Sequence, residues 1–291
     1  MPEPRRLHDP TPEPRADHVG AGASAAAPDA KLSLRDVSHV FGSGAGAITA
    51  VEGIAIDIPV RSLVSVIGRS GCGKTTLFNI VAGLLRPTRG RVLLDGEDIG
   101  GRAGLVSYML QKDLLLPWRT VVDNVVLGLE LGGMRMAEAR AHARPLMRRY
   151  GLGGFEDQYP AALSGGMRQR AALLRTLLCD RDVILLDEPF GALDAQTRFS
   201  MQEWLLALWQ DFGRTIVLVT HDVDEAVFLS DEIVVLSPRP GRVRARLPVA
   251  LPRPRARSIV TSAEFARTKE RCLDLLFDAD PAASPEPPGA R

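Results

Sequence analysis

The chain has 291 residues, 45% hydrophobic and 24% charged, enough for a buried core in one large domain or two small ones. Its net charge of +1 gives no electrostatic footprint for nucleic acid, and no apolar run approaches the roughly 20 residues of a membrane helix. Three scattered cysteines, Cys72, Cys179 and Cys272, fit neither a metal-ligand spacing nor a disulfide framework, which suits a reducing cytosol.

Residues 1–30 are rich in Pro, Ala and charge and poor in large apolar side chains, so the composition predicts a disordered tail with no secretory leader. Residues 280–291 predict the same. Between them strand and helix signals alternate. Leu32–Val40 reads as a strand, and Ile54, Ile56, Ile58 and Val60 alternate with smaller or polar residues as a second, one-faced strand. Further strands are expected at Leu63–Ile67, Val92–Leu94, Leu105–Leu110, Val183–Leu186, Ile216–Thr220, Glu232–Leu236 and Arg242–Leu247. The unbroken apolar runs at 183–186 and 216–219 are those of parallel strands covered on both faces. Helices are expected at Thr76–Leu85, Met136–Tyr150, Met167–Leu178, Gln196–Phe212 and Val223–Ser230. In the fourth, Leu205, Leu208, Trp209 and Phe212 form a core-facing stripe. Thr261-x-x-Glu264 has the spacing of a capping box that opens a last helix, within a C-terminal extension over 253–279. The pattern is α/β, with an antiparallel β portion near the N-terminus and a helical subdomain inserted at about 120–165. No internal repeat is visible.

After the strand Leu63–Ile67 comes Gly68-Arg69-Ser70-Gly71-Cys72-Gly73-Lys74-Thr75, then a helix signal from Thr76. It meets the phosphate-loop pattern G-x-x-x-x-G-K-[ST] at every fixed position. Glycines there turn backbone N–H groups toward phosphate oxygens, and the helix start adds a favourable dipole. In such a loop Lys74 reaches the β- and γ-phosphates and the Thr75 hydroxyl ligates Mg²⁺. Cys72 occupies a permissive position. The run Val183–Leu186 ends in Asp187 and Glu188. Beside a phosphate loop, Asp187 would hold Mg²⁺ and Glu188 would polarise the water that attacks the γ-phosphate. Two acids after a strand also open ordinary loops. The octet Leu163-Ser164-Gly165-Gly166-Met167-Arg168-Gln169-Arg170 suits an anion at a helix start, and equally suits a Ser-capped helix with a flexible lead-in.

With that octet the chain resembles the ABC transporter ATPases, whose signature motif it matches. The other family motifs follow in order. Gln111 resembles the Q-loop glutamine, Asp187 and Glu188 the Walker B aspartate and catalytic glutamate, Gly191-Ala192-Leu193-Asp194 the D-loop, and His221 the switch histidine. Phe41 sits where the family has an aromatic that stacks on adenine. Read alone, Gln111 is also a polar residue after a strand, His221 a helix cap and Phe41 a core aromatic. The likeness covers about Leu32 to Val249.

The resemblance implies a P-loop NTPase sheet core within a 31–252 ATPase domain, with ATP and Mg²⁺ as cofactors. It makes Glu188, His221 and Gln111 catalytic and puts Thr75, Gln111 and Asp187 at the metal. The nucleotide-binding set is Phe41, Gly68, Ser70, Gly71, Cys72, Gly73, Lys74, Thr75, Thr76, Ser164, Gly165, Gly166 and Asp194. Two copies would pair head to tail. Lys74, Thr75, Thr76 and Gln111 of one would then meet Ser164, Gly165 and Gly166 of the other across each ATP, with Asp194 carrying signals between sites.

The wording QKDLLLPWRTVVDNV, DEPFGALDAQTR and SPRPGRV resembles the nitrate/sulfonate/taurine importer branch, which also has relatives importing bicarbonate and thiamine or riboflavin precursors. That implies an ATP-hydrolysing subunit held peripherally at the cytoplasmic face of the inner membrane. Separate permease chains would hold it there, a solute-binding protein would act indirectly, and nucleic acid would have no part. Gln111–Trp118 is the natural docking segment for a permease helix, although some of Leu114–Leu116 pack inside the helical subdomain. An exporter ATPase would usually be fused to spans, a chromosome ATPase would carry a long heptad insert, and a translation-type relative would carry two cassettes. A regulator without activity would lack Glu188 or His221. The solute touches other chains, so only kinship bears on its identity.

Overall fold

Antiparallel strands with one buried face open the chain. The structure, a computed structural model, describes residues 30–277, so the two tails expected to be disordered lie outside it, except that Ala30 begins the first strand. β1 (Ala30–Phe41) and β2 (Ile48–Pro59) pair antiparallel. β3 (Leu63–Ile67) then leads through the phosphate loop into α1 (Lys74–Val81). β4 (Arg89–Leu94) and the short β5 (Glu97–Asp98) complete a four-stranded sheet of order β2-β1-β4-β5. The chain crosses to β6 (Ser107–Met109) and runs through α2 (Val121–Val125), α3 (Leu127–Leu131), α4 (Met136–Arg149) and α5 (Gly165–Leu177). It returns as β7 (Val183–Asp187), α6 (Ala195–Phe212), β8 (Thr215–Val219), α7 (Val223–Leu229) and β9 (Glu232–Leu236). β10 (Val243–Pro248) and α8 (Ala263–Phe277) finish it.

The second sheet has the order β10-β9-β3-β8-β7-β6, parallel throughout except for β10. Its inner strands β3, β7, β8 and β9 are mostly Val, Ile and Leu, with Ser65 buried among them, because both faces are covered. Leu63, Ile67, Ile184, Leu186, Ile216, Leu218, Ile233 and Val235 point into a core shared with α2 and α4 to α8. The alternate residues Val64, Val66, Val183, Leu185, Val217, Val219, Val234 and Leu236 enter a second core with α1 and the antiparallel sheet. The period of two along each strand thus splits one run of sequence between two cores. Parallel pairing also sends the carboxyl ends of β6, β7, β8, β3 and β9 to one edge, where ligands of such sheets bind.

Element boundaries differ from the sequence reading at several places, including the ends of β1, β2, β6 and α5, and two of the differences have a clear physical cause. α1 starts two residues earlier, at Lys74, and stops at Val81. Gly83 (φ +74°) turns the chain so closely over Arg102 that a Cβ would lie 2.2 Å from its carbonyl oxygen. α8 is capped by Ser262, whose Oγ accepts the Phe265 N–H at 3.2 Å, while the Thr261 hydroxyl donates to the Ser258 carbonyl at 2.9 Å. Phe265 and Cys272 of α8 are buried in the same core as the parallel sheet. Among the described residues, no helix is long and apolar enough to cross a membrane.

Asn124, fully buried in α2, organises the turn that leads into the helices. Its Oδ1 accepts the Leu116 N–H at 2.6 Å, and its Nδ2 donates to the carbonyls of Leu116 (3.0 Å), Arg119 (3.2 Å) and Thr120 (3.0 Å). Asn124→Ala leaves those backbone groups unpaired. It is expected to cost about 2–3 kcal/mol in denaturant unfolding, with the turn at 116–120 losing hydrogen-exchange protection first.

Candidate functional site

The phosphate loop owes its shape to close backbone contacts. Gly73 takes φ +100°, and a Cβ there would lie 2.6 Å from Val51 Cγ1 and 2.7 Å from the Ala50 carbonyl oxygen on β2. α1 starts from Gly73 with no side-chain cap, so its first N–H groups remain for a ligand. The Lys74 ammonium is buried and donates to the carbonyls of Gly68 (2.7 Å) and Arg69 (3.2 Å). Cys72 is buried behind the loop with Sγ 3.8 Å from the Lys74 Nζ, and Gly68 packs against that sulfur. Neither Gly68 nor Cys72 lines the open side.

The open side is a cleft of about 300 Å³. Ser70, Gly71, Gly73, Lys74, Thr75 and Thr76 form one wall, Phe41, Ile48 and Ala50 another, and Glu188 and Arg239 complete it. Phe41 is 45% exposed, with its ring edge-on to His39, so it faces the cleft instead of the core.

Asp187 ends β7 and is buried. The Tyr108 hydroxyl donates to its carboxylate at 3.4 Å. Burial, and then the charge of Glu188, push the Asp187 carboxyl above its usual range. Glu188 follows with φ +46°, a left-handed conformation that costs a non-glycine residue roughly 1–3 kcal/mol. Its N–H donates to the Val219 carbonyl at 2.8 Å. That turn presents the carboxylate to two distant loops. Gln111 Nε2 donates to one oxygen at 2.8 Å, and His221 Nδ1 lies 3.4 Å from the other. The Thr75 hydroxyl and the Asp187 carboxylate form a hard oxygen pair suited to Mg²⁺, which takes few protein ligands when phosphate oxygens supply the rest.

Ser164, Gly165, Gly166 and Asp194 do not line the cleft. Ser164 caps α5, its Oγ accepting the Met167 N–H at 3.3 Å, and Asp194 caps α6, accepting the Thr197 N–H at 3.0 Å. The hydrogen bonds from Thr197 hold the Asp194 carboxyl below its usual range. A Cβ on Gly166 would lie 2.9 Å from Thr197 Cγ2, so the two helix starts are packed together.

Several side chains here escaped the sequence reading. Tyr108 reaches Asp187 because β6 lies beside β7. Arg198 donates to the Leu193 carbonyl (3.0 Å) and to Asp222 (3.2 Å), joining the start of α6 to that of α7. From α5, Arg168 pairs with Asp113 (3.3 Å), and Arg175 holds the carbonyls of Asp113 (2.5 Å) and Leu114 (2.8 Å). Beyond them Leu114 and Trp118 are exposed, while Leu115 is buried. Arg198 and Arg175 have no motif signal, and Arg168 lies in the signature octet without its partner Asp113 being readable there, because each acts through a fold contact.

The sequence profile described as ABC transporter matches residues 51–191. An uncharacterized ABC transporter ATP-binding protein of Methanocaldococcus jannaschii is 45% identical over 248 residues, covering 85% of this chain and 92% of that one. The chain belongs to the ABC transporter family. A taurine import ATP-binding protein of Rhizobium johnstonii is 43% identical over 238 residues, covering 80% of this chain and 91% of the relative. A solved dimeric bacterial ABC transporter cassette aligns with TM-score 0.67 at 30% identity, over 75% of this chain and 98% of that one. The same cassette in a post-hydrolysis dimer holds ADP and phosphate, and aligns with TM-score 0.66. The mixed α/β fold is that of these cassettes, and the chain is an ABC transporter ATPase.

One buried acid sits behind the His221 turn of this ATPase. Glu225 is 3% exposed and has an Oε1 without a partner among the described residues. Burial first, and then the neighbouring Asp222 charge, push its carboxyl up to about 8, against the opposing pull of Arg198. The folded chain therefore keeps a proton that the unfolded chain releases near 4.5. That contribution to stability is complete below about 4.5 and is lost as pH rises through about 8. Glu225→Gln is expected to flatten this decline. Chemical denaturation across that range should find the variant gaining on the wild type as pH rises.

Proposed function

We propose that this ATPase powers uptake of a taurine-like sulfonate through a separate permease, working as a head-to-tail pair that encloses two Mg-ATP molecules. The observation that carries this reading is the division of the site. The cleft holds Lys74, Thr75 and Glu188, while a second helix start suited to an anion, at Ser164, Gly165 and Gly166, stands outside it on the same chain. A second copy facing the first supplies the missing half, with Asp194 at the seam.

In the proposed cycle Phe41 stacks on adenine, the loop amides and Lys74 hold the phosphates, and Thr75, Asp187 and Gln111 hold Mg²⁺. When bound, Mg²⁺ neutralises charge on the β- and γ-phosphates. Lys74 exchanges its loop carbonyls for phosphate oxygens. Glu188 orients the attacking water and takes its proton, while Gln111 and His221 position that carboxylate and sense the γ-phosphate. Hydrolysis removes the γ-phosphate contacts and loosens the pair. Leu114 and Trp118, exposed on a segment gripped by Arg168 and Arg175, would meet the permease at the cytoplasmic face of the membrane. The sulfonate assignment is supported by kinship with taurine import proteins.

Glu188→Gln is expected to lower ATP turnover at least about a hundredfold, on the scale of a general base, and to accumulate an ATP-dependent dimer in gel filtration. Turnover at the wild-type rate would remove Glu188 from its role. The solute is tested on the complex with its permease. Taurine-loaded binding protein should stimulate ATPase activity, and the absence of stimulation by any sulfonate would refute that part.

A further inference from the structure

Five parallel strands deliver their following loops to the cleft edge, and four of those loops carry the groups described above. The fifth, residues 237–242 after β9, has no part in that set. It is nevertheless built onto the phosphate loop. The Gly241 N–H donates to the Ala50 carbonyl at 2.9 Å, and the Glu52 N–H donates to the Gly241 carbonyl at 2.9 Å. A Cβ on Gly241 would lie 2.0 Å from the Cys72 carbonyl oxygen, so only glycine allows this approach. Ser237 Oγ closes the loop, accepting the Arg242 N–H and donating to the Pro240 carbonyl, both at 3.0 Å. Arg242 turns away to Glu52 at 2.7 Å.

Arg239, at the tip, turns the other way. Its Nε donates to the Gly71 carbonyl at 3.4 Å, and its side chain lines the cleft. Among the described residues no carboxylate pairs with it within 4 Å, whereas its neighbours Arg242 and Arg246 are both paired. Of the residues lining the cleft only Lys74 and Arg239 are cationic, and Lys74 is shared with two carbonyls. The base side of the cleft is already furnished by Phe41 and Ile48. With Nε engaged by the loop, both Nη groups are left to meet phosphate oxygens, for which a guanidinium is a matched two-point donor.

We propose that Arg239 is a ligand of the nucleotide's phosphate chain, a second cation delivered by the β9–β10 loop and steadied by Gly71. The assignment rests on the reading of the cleft as the ATP site. It is tested on the full chain by ADP binding, with Lys74→Ala alongside. Arg239→Ala is expected to weaken ADP about tenfold at low salt, the scale of one hydrogen bond to a charged group. The deficit should shrink as ionic strength rises. Arg239→Gln should resemble Arg239→Ala, Arg239→Lys should recover part of the affinity, and the melting temperature without nucleotide should not move. Wild-type ADP affinity in Arg239→Ala, with Lys74→Ala impaired, overturns this inference and leaves the ATP site standing. A deficit indifferent to salt assigns Arg239 to the base and also overturns it. Wild-type affinity in Lys74→Ala overturns the ATP site itself.

Discussion

The parallel pairing of β3 with β8 on one side and β9 on the other is the contact on which the cleft depends. A strand hydrogen-bonded in parallel must end where its neighbour ends, so each crossover returns the chain to the same edge. Residues as distant in sequence as Lys74, Gln111, Glu188, His221 and Arg239 therefore arrive at one edge without any direct bond having to gather them. The cost is a sheet buried on both faces, and its inner strands meet it with Val, Ile and Leu at most positions. A polar residue at Val217 or Leu218 would harm one core or the other, and through it the strand end that carries His221.

The carboxylates at that edge are held in opposed states. Asp187 lies deep, accepts the Tyr108 hydroxyl and is reluctant to ionise beside Glu188. A divalent cation there would relieve both burial and repulsion, which is why a buried acid next to a second acid is a sensible metal ligand and a poor structural one. Glu188 has the opposite setting, at a strained turn, open to the cleft, with Gln111 donating to one oxygen and His221 Nδ1 3.4 Å from the other. Held from two sides, it has little rotamer freedom left to lose when a water must be lined up.

Much of this was legible in the sequence because the relevant physics is local. The strand Leu63–Ile67 and the phosphate loop carry their own signals, an apolar run and a fixed glycine spacing. The alternation in β2 and the stripe on α6 were equally plain. What could not be read depends on contacts between elements. α1 stops at Val81 at a left-handed Gly83, whose N–H donates to the Ile80 carbonyl while that of Leu84 donates to the Asn79 carbonyl, and the two leucines after it only prolonged the apolar pattern in the string. The cap of α8 shifted by one residue because serine and threonine stand side by side and geometry chose between them. The cysteine of the phosphate loop looks like part of a binding surface in the string and faces the core in the fold. Arg239 sat in a stretch noticed only for its kinship, since no pattern announces that the loop after β9 will bend back onto β2.

The Arg198 bridge has a mechanical consequence. One guanidinium holds the carbonyl of Leu193 and the side chain of Asp222, the residue that follows His221. The two turns cannot move apart without breaking a charge-assisted pair, and they cannot move separately while it lasts. A push on the Leu193–Asp194 corner from outside the chain is therefore felt at His221 by displacement alone, with no change in the cleft between them. If that corner faces a second copy, each cleft carries a lever whose handle lies in its neighbour, and the two nucleotides are timed together by a rod one side chain long.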